Sequence, residues 1–413
     1  MLRRIGLANF KCFANLDLRC ASLNLLCGLN GMGKSSVIQA LLVLRQSFEA
    51  GDLQDGRLVL GGARIDLGAG TDVLFEDAAE EVVGFVMRGD GSDKPWAGVF
   101  GYSRTGDQLL VTTEDVSTVE FPLHYDPQFA RDLAESNGDD RVDLDQVTTI
   151  EVWATNKEEV VQPAWRGISP FGGRLVYVEA ERVGPRKSYP LSEMLARRGE
   201  LGGRGEYTWN YLNEHQDVLL PTDDPRRADA RGRRLVDVVD HWLQDVSPGA
   251  RLELESIPAA DAVIAGFKFD RPGDVASRRH RATNVGFGLS YVLPVVLALL
   301  SEPGTLCLIE NPEAHLHPRG QTKLAELAAR AAAAGVQVFA ETHSDHFLDG
   351  MRLAVRDGLI APDETTIHYF ERHDGRTVVT SPEIDADGFL PHWPDGFFDQ
   401  RDDNLARLLT PRS

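Results

Sequence analysis

The sequence predicts an α/β fold built around a partly parallel sheet, and three observations predict it. An apolar run at residues 23–27 leads directly into Gly28-Leu29-Asn30-Gly31-Met32-Gly33-Lys34-Ser35, and Val37, Leu41, Leu42 and Leu44 then mark a helical stripe ending near Gln46. A second apolar run at 306–309 is followed by an alanine-rich helix over 321–334, stopped by Gly335, and by a third run at 336–340. That β-α-β order is the one that builds parallel sheets. Ahead of both units, alternating polar and apolar residues at 3–10 and at 16–18 predict two edge-like strands feeding the buried one.

Between the two units the signals are weaker. Residues 51–173 hold short strand candidates at 81–86 and 148–153, separated by turn-rich acidic segments, which predicts antiparallel sheet. Residues 188–250 are more helical and carry Arg226, Arg227, Arg231, Arg233 and Arg234, the pattern of an insertion. Neither an internal repeat nor a long heptad run occurs, so a long coiled-coil arm is not expected. The 413 residues are 42% hydrophobic and 26% charged, which excludes disorder and suits a well-cored chain. Lys+Arg 43 against Asp+Glu 63 gives 43 − 63 = −20, a deficit that argues against passive coating of nucleic acid. Cys12, Cys20, Cys27 and Cys307 lack C-x-x-C spacing, as in a reduced cytosolic protein. The first eleven residues are too polar for a signal peptide. The longest apolar stretch, 289–300, is broken by Pro294 and falls short of the ~20 residues of a membrane span, so a cytoplasmic location and no membrane partner are expected.

Four motifs carry chemistry. Gly28 to Ser35 matches G-x-x-x-x-G-K-[ST] in the required strand-to-helix context. Its glycines let backbone N–H groups curl around a phosphate, Lys34 reaches the β/γ oxygens, Ser35 offers a hydroxyl to Mg2+, and the following helix points its positive end at the anion. A glycine-rich turn before an ordinary helix is the bland alternative, disfavoured because motif and context both match. The strand at 306–309 ends in Glu310-Asn311-Pro312-Glu313, delivering carboxylates to a sheet's C-terminal edge, and Glu310 is the expected metal-side acid. The run 338–344 reads as a strand ending in a histidine, His343, whose neutral imidazole can contact a γ-phosphate or its attacking water. Finally, Asn284 to Ser290 puts Gly286, Gly288 and Ser290 at the start of an apolar helix, a potential anion site or simply a flexible loop.

Taken in order, phosphate loop, glycine-rich helix start, acidic strand end and histidine strand end, the chain resembles the ATP-binding-cassette (ABC) class of ATPases, and within it the soluble SMC, RecF and OLD type. Residues 5–11 with 26–36 are similar to the start of RecF-like heads. Residues 309–318 followed by 341–346 are close to the Walker B, D-loop and switch region of OLD-like ATPases. The likeness covers about residues 1–75 and 280–350, and residues 179–186 and 393–399 are similar to a bacterial stand-alone subgroup.

The resemblance implies a P-loop NTPase, an ABC-type head with a mixed β-sheet lobe and a helical insertion. Its parts would be an N-terminal portion at 1–120, the insertion at 121–260, and a C-terminal portion with an extension at 261–413. It implies ATP and Mg2+ as cofactors, with Gly28, Asn30, Gly31, Gly33, Lys34, Ser35 and Ser36 on the nucleotide and Ser35, Gln46 and Glu310 at the metal. Gln39 competes with Gln46 for the glutamine role. Asn311 stands where the class keeps its catalytic glutamate, so Glu313 would take the base role or hydrolysis would be slow. His343 would be the switch histidine. Gly286, Gly288 and Ser290 would touch nucleotide across a homodimer, although the segment departs from L-S-G-G-Q. After the switch region only residues 347–413 remain, with acids scattered at Asp385, Asp387, Asp395 and Asp399, too little for a nuclease sheet. A separate effector chain, such as a nuclease, and a role in bacterial anti-phage defence are the expectations.

Three alternatives stand beside this one. A RecF-like DNA-repair ATPase would use the arginines at 226–234 with Arg278, Arg279 and Arg281 as DNA contacts, against a merely solvated basic face. A zinc hydrolase would use His315, His317, His343 and Glu310. Asn311 motivates an ATP-gated scaffold that does not hydrolyse.

Overall fold

The computed structural model describes residues 1–55, 57–79, 82–90, 96–101, 108–110, 120–121, 150–151, 169–192, 194, 198–270, 277–394 and 396–410. The chain opens with β1 (Leu2–Phe10), β2 (Phe13–Arg19) and β3 (Leu23–Gly28), then α1 (Lys34–Ala50). Next come β4 (Arg57–Val59), the short α2 (Gly70–Val73), β5 (Val82–Gly89), β6 (Trp96–Gly101), β7 (Gln108–Leu110), β8 (Glu120–Phe121) and β9 (Ile150–Glu151). The middle holds α3 (Ser169–Gly172), β10 (Leu175–Val178), β11 (Tyr189–Pro190), α4 (Thr208–His215), α5 (Leu235–Val246), β12 (Ala250–Ile257), β13 (Ala262–Phe269) and β14 (His280–Arg281). The last stretch is α6 (Phe287–Leu299), β15 (Leu306–Glu310), α7 (Pro318–Ala333), β16 (Gln337–Glu341), α8 (Asp345–Arg356), β17 (Thr365–His373), β18 (Arg376–Thr380) and α9 (Gln400–Leu409).

The central sheet runs β10-β15-β16-β3-β17-β18, parallel except for the last hairpin. Parallel strands are covered on both faces, and here successive residues divide between two cores. Leu25, Cys27, Cys307, Ile309, Val338 and Ala340 pack with α6, α7 and α8, whereas Leu26, Leu306, Leu308 and Phe339 pack with α1 and with β1, β2 and β5. The same alternation sends the side chains at 310 and 341 to the α1 face. An antiparallel sheet, β2-β1-β5-β6-β7-β4, lies over that face, and a smaller sheet of β11-β13-β12 with β14 forms the middle lobe.

Several sequence expectations are adjusted. β1 is not an edge: it sits between β2 and β5 and buries both faces, because the second sheet closes over α1. α1 runs past Gln46 to Ala50, where Gly51 caps it with φ 83°; Arg45 pairs with Glu49 at 2.7 Å and Phe48 packs on Phe171, extending the last turn. Pro294 lies inside α6 rather than interrupting it. Ten of that helix's thirteen residues are buried, and this burial outweighs a proline cost of about 3 kcal/mol. Of the strand expected at 148–153 only Ile150–Glu151 is described, paired with β8; the rest, like Asp395, lies outside the described residues. β10 falls within the segment read as an insertion, yet supplies a strand to the central sheet.

The segment after His343 completes the same sheet. β17 pairs in parallel with the whole of β3 through Thr365–Phe370, and Phe397 stacks edge-on against Tyr369, Trp393 and Phe398 at centroid distances of 5.0 Å. Asp385 caps a turn through the N–H groups of Asp387 and Phe389, and Asp399 accepts from the Gly396 N–H, so these acids hold local structure. All four cysteines are free. Among the described residues, no helix is long and apolar enough to cross a membrane.

On β17, His368 is 1% exposed and its Nδ1 lies 2.8 Å from the Ser381 hydroxyl. Burial pushes its pKa from 6.5 down to about 4, opposed only by the Arg19 carbonyl. A depressed imidazole contributes stability above its ordinary pKa and loses it as the pH falls toward 4, by roughly 3 kcal/mol in full. His368→Gln should therefore flatten the fall in unfolding free energy between pH 6.5 and 4.5 relative to wild type. Parallel profiles in chemical denaturation would refute this.

Candidate nucleotide-binding site

β3, the loop after it and α1 form one continuous turn around a cavity of about 600 Å³. Two glycines are dictated by their neighbours. Gly28 has φ 136°, and a Cβ there would run into the Phe370 carbonyl of β17. Gly33 has φ 93°, and a Cβ would meet the Cys12 sulfur and, at 2.6 Å, the Phe13 ring. Gly33 caps α1 without a side-chain bond and the first turn holds no acid; the Ser36 N–H donates to the Gly33 carbonyl at 3.0 Å, and the helix start still presents its positive end to an anion. Lys34 is 3% exposed and its Nζ donates to the Gly28 and Leu29 carbonyls at 3.0 and 2.7 Å. Burial lowers its pKa, with Glu341 pulling the other way.

Two carboxylates close the cavity on the sheet side. Glu310 ends β15 and Glu341 ends β16, directly side by side in the parallel register. Glu310 accepts from the Tyr177 hydroxyl at 2.9 Å, and burial raises its pKa against that bond and one from the Ala180 N–H. Glu341 is 6% exposed; its Oε1 accepts from the Ser35 hydroxyl at 3.0 Å, while its Oε2 is buried without a partner. Burial raises its pKa too, with the Ser35 bond lowering it and Glu310 adding to the rise. A serine hydroxyl beside two carboxylates, one with an orphaned buried oxygen, is a hard-oxygen donor set that fits Mg2+. Among the described residues, no group of three or more His, Cys, Asp or Glu could hold a metal by itself, so phosphate and water oxygens would complete its shell.

Of the residues expected from sequence, Asn30, Gly31, Gly33, Lys34, Ser35, Ser36, Glu310, Asn311 and His343 all line this cavity. Gly28 does not, and its carbonyl accepts from Lys34 Nζ. Asn311 adopts φ 45° and its N–H donates to the Glu341 carbonyl at 2.8 Å, so the two strand tips are tied together. His343 has its pKa lowered by partial burial and then by Lys34, with Glu313 opposing, and is neutral at pH 7. Glu313 does not line the cavity: its Oε1 accepts from the His343 N–H at 2.9 Å and its Oε2 is buried without a partner. Gly286, Gly288 and Ser290 stand outside it as well, at the start of α6, where Gly286 has φ 74°.

Gln46 is corrected. It is 7% exposed, donates to the Val59 carbonyl at 2.7 Å and accepts from the Ile65 N–H, fastening β4 to α1 rather than approaching a metal. Twelve residues beyond Lys34, it sits about 18 Å along the helix. Gln39 lines the cavity instead and accepts from Lys11 Nζ at 2.6 Å. The arginine cluster is corrected in part: Arg226 is 3% exposed, pairs with Asp224 at 2.7 Å and donates to carbonyls at the end of α6, while Arg234 pairs with Asp237 and Asp217 and Arg279 with Glu255. The zinc arrangement does not assemble. His315 packs against Phe287 and Tyr291, and His317 caps α7 by accepting from the Arg319 N–H.

Three contributors had no role in the sequence reading: Glu341, Tyr177 and Arg182. Arg182 is 2% exposed and donates to the carbonyls of Glu310, Asn311, Tyr291 and Glu179, clamping the turn between β15 and the cavity. Burial lowers its pKa to about 10, with Glu313 opposing. Its position in the 179–186 motif was the only local signal of importance.

The phosphate loop, the helix that starts on it and the strand order with one strand inserted between β3 and β15 define an α/β P-loop nucleotide-binding fold. Residues 23–349 match the family described as "AAA domain, putative AbiEii toxin, Type IV TA system", and the chain belongs to that family. Residues 360–408 match a second family, described as a protein of unknown function (DUF3696). No curated protein matches. Among solved structures the chain is similar to an SmcHead bound to the C-winged helix domain of ScpA, at 14% identity over 93% of this chain and 98% of that one, with a TM-score of 0.49. It is also similar to a Pyrococcus furiosus Smc head with an extended coiled coil bound to the C-terminal domain of ScpA, at 13% identity over 99% of each chain and a TM-score of 0.48. A Thermotoga maritima SMC head aligns at 11% identity over 93% and 99%, with a TM-score of 0.40.

Removing the Arg182 fork leaves several buried carbonyls without donors, at about 1.5–3 kcal/mol for each bond to a charged group. Arg182→Met should lower unfolding free energy by roughly 3 kcal/mol in chemical denaturation. A change below about 0.5 kcal/mol, the size of an ordinary surface substitution, would refute the clamp.

Proposed function

We propose that this protein is a Mg2+-dependent ATP-binding and ATP-hydrolysing switch that closes as a homodimer around nucleotide and controls a separate effector. The observation that carries the reading is the convergence of Lys34, Ser35, the uncapped start of α1 and the Glu310 carboxylate on one cavity. In this reading Lys34 leaves the loop carbonyls for the β/γ-phosphate oxygens, and the α1 N–H groups and glycine loop hold the rest of the chain of phosphates. Ser35 and Glu310 hold Mg2+, which when bound neutralises charge on the phosphates. His343, neutral and at the cavity mouth, hydrogen-bonds the γ-phosphate side. Gly286, Gly288 and Ser290, outside this chain's cavity, face the partner head's nucleotide.

Residues 1–120 and 261–413 make the ATPase head in this reading, with 121–260 as an insertion that lends β10 to the sheet. The family description, with its AbiEii-type and toxin–antitoxin wording, supports a role in bacterial defence. Four free cysteines, three of them buried, fit a cytoplasmic location. Asn311 favours a second reading, an ATP-gated scaffold without turnover, because an amide cannot accept the proton of an attacking water.

Lys34→Ala should weaken ATP binding by roughly 10- to 100-fold, the loss of a charge-assisted bond to phosphate, and abolish turnover. Isothermal titration and phosphate release measure the two. Wild-type turnover that persists in Lys34→Ala would remove the ATPase reading; binding without any turnover in wild type would favour the scaffold. ATP should also raise the mass seen by light scattering to that of a dimer, and a monomer at saturating ATP with Mg2+ would refute the closure.

A further inference from the structure

Glu341 has the environment of a metal-side group although the strand-end acid expected for that role is Glu310. Its strand lies between β15 and β3, so Glu341 stands one strand spacing, about 4.8 Å, nearer the phosphate loop than Glu310 does. The parallel register places both carboxylates on the α1 face. Of the two, Glu341 is the one bonded to the Ser35 hydroxyl, while Glu310 is taken by Tyr177. Its second oxygen is buried with no partner, which is costly unless a ligand supplies one. The neighbouring Asn311 contributes no charge, and its N–H holds the Glu341 backbone in place.

We propose that Glu341 is a second metal-side carboxylate, which takes the Ser35 hydroxyl proton in a hydrogen bond and turns its orphaned Oε2 toward the Mg2+ hydration shell, so that this site holds nucleotide-bound Mg2+ with two glutamates. The inference rests on the ATP-binding reading above. With its hydroxyl hydrogen directed at Glu341, Ser35 keeps its oxygen lone pairs for the cation. Glu341 thus positions Ser35 and holds metal-bound water, and it is not assigned the role of base.

The test uses the full chain and Mn2+ as the probe, titrated by electron paramagnetic resonance in the presence of ADP, with ADP affinity measured separately without divalent cation. Glu341→Gln, nearly isosteric, should weaken Mn2+ binding by roughly 10- to 100-fold, the usual effect of removing an outer-shell partner, without weakening metal-free ADP binding, since a carboxylate beside the phosphates is lost. Glu341→Asp, which keeps the charge, should retain more Mn2+ affinity than Glu341→Gln. Retained metal-free ADP binding also reports that each variant is folded. Mn2+ affinity equal to wild type in Glu341→Gln, while Glu310→Gln loses it, would overturn the inference and leave the ATP-binding reading standing. So would a loss of turnover in Glu341→Gln with Mn2+ affinity intact, which would make Glu341 the base. A wild-type chain that binds no ADP with or without Mn2+ would instead overturn the underlying reading, and the inference with it.

Discussion

The pairing of β3 with β16 on one side and β17 on the other is the constraint on which the rest of this molecule depends. Leu26 lies opposite Glu341 on one edge and Gly28 opposite Phe370 on the other, partners more than 300 residues apart in sequence. Only when these strands are in register does the phosphate loop acquire its walls. The closeness of Phe370 is also what demands a glycine at 28, so the first residue of the loop answers to tertiary packing as much as to the phosphate. Since the side-chain period of a strand is two, a slip of one residue in β16 would turn Glu341 into the opposite core and put Ala340 at the cavity.

Charge is concentrated where the fold can least solvate it. A buried lysine and two glutamates with raised pKa values share one cavity, and the lysine is held by loop carbonyls rather than by a carboxylate. Such an arrangement costs stability in the free protein and is pre-organised for a ligand that brings both phosphate and a cation. The overall charge of −20 has little bearing on it, because phosphate binding in the proposed reading would draw on backbone N–H groups, one lysine and a metal ion.

Support for the site comes from two segments that look unremarkable in isolation. Arg182 reaches from the loop after β10 to the carbonyls of Glu310 and Asn311, fixing the turn at which β15 leaves the sheet. Phe397 clusters with Trp393 and Tyr369, and Arg352 of α8 lies 5.5 Å over the Trp393 ring, so the C-terminal segment braces β17 and, through it, β3. Both belong to stretches that the resemblance had singled out, and in the structure they act on the site indirectly, through the backbone.

Sequence by itself determined the α/β class, the phosphate loop and the strand end at Glu310, since each is a local pattern: a glycine spacing, an apolar period, a stop residue; the strand read as ending at His343 stops at Glu341, two residues earlier. It left Gln39 and Gln46 undecided, because the choice needed the cavity to be located first. What only the tertiary structure decided was which side chains from distant segments meet. Glu341 touching Ser35, Tyr177 touching Glu310, Arg182 clamping the β15 turn and Arg226 buried against Asp224 are all products of strand order and register. Local periodicity says which face a residue occupies; the neighbour across that face is set by long-range pairing, which no local pattern encodes.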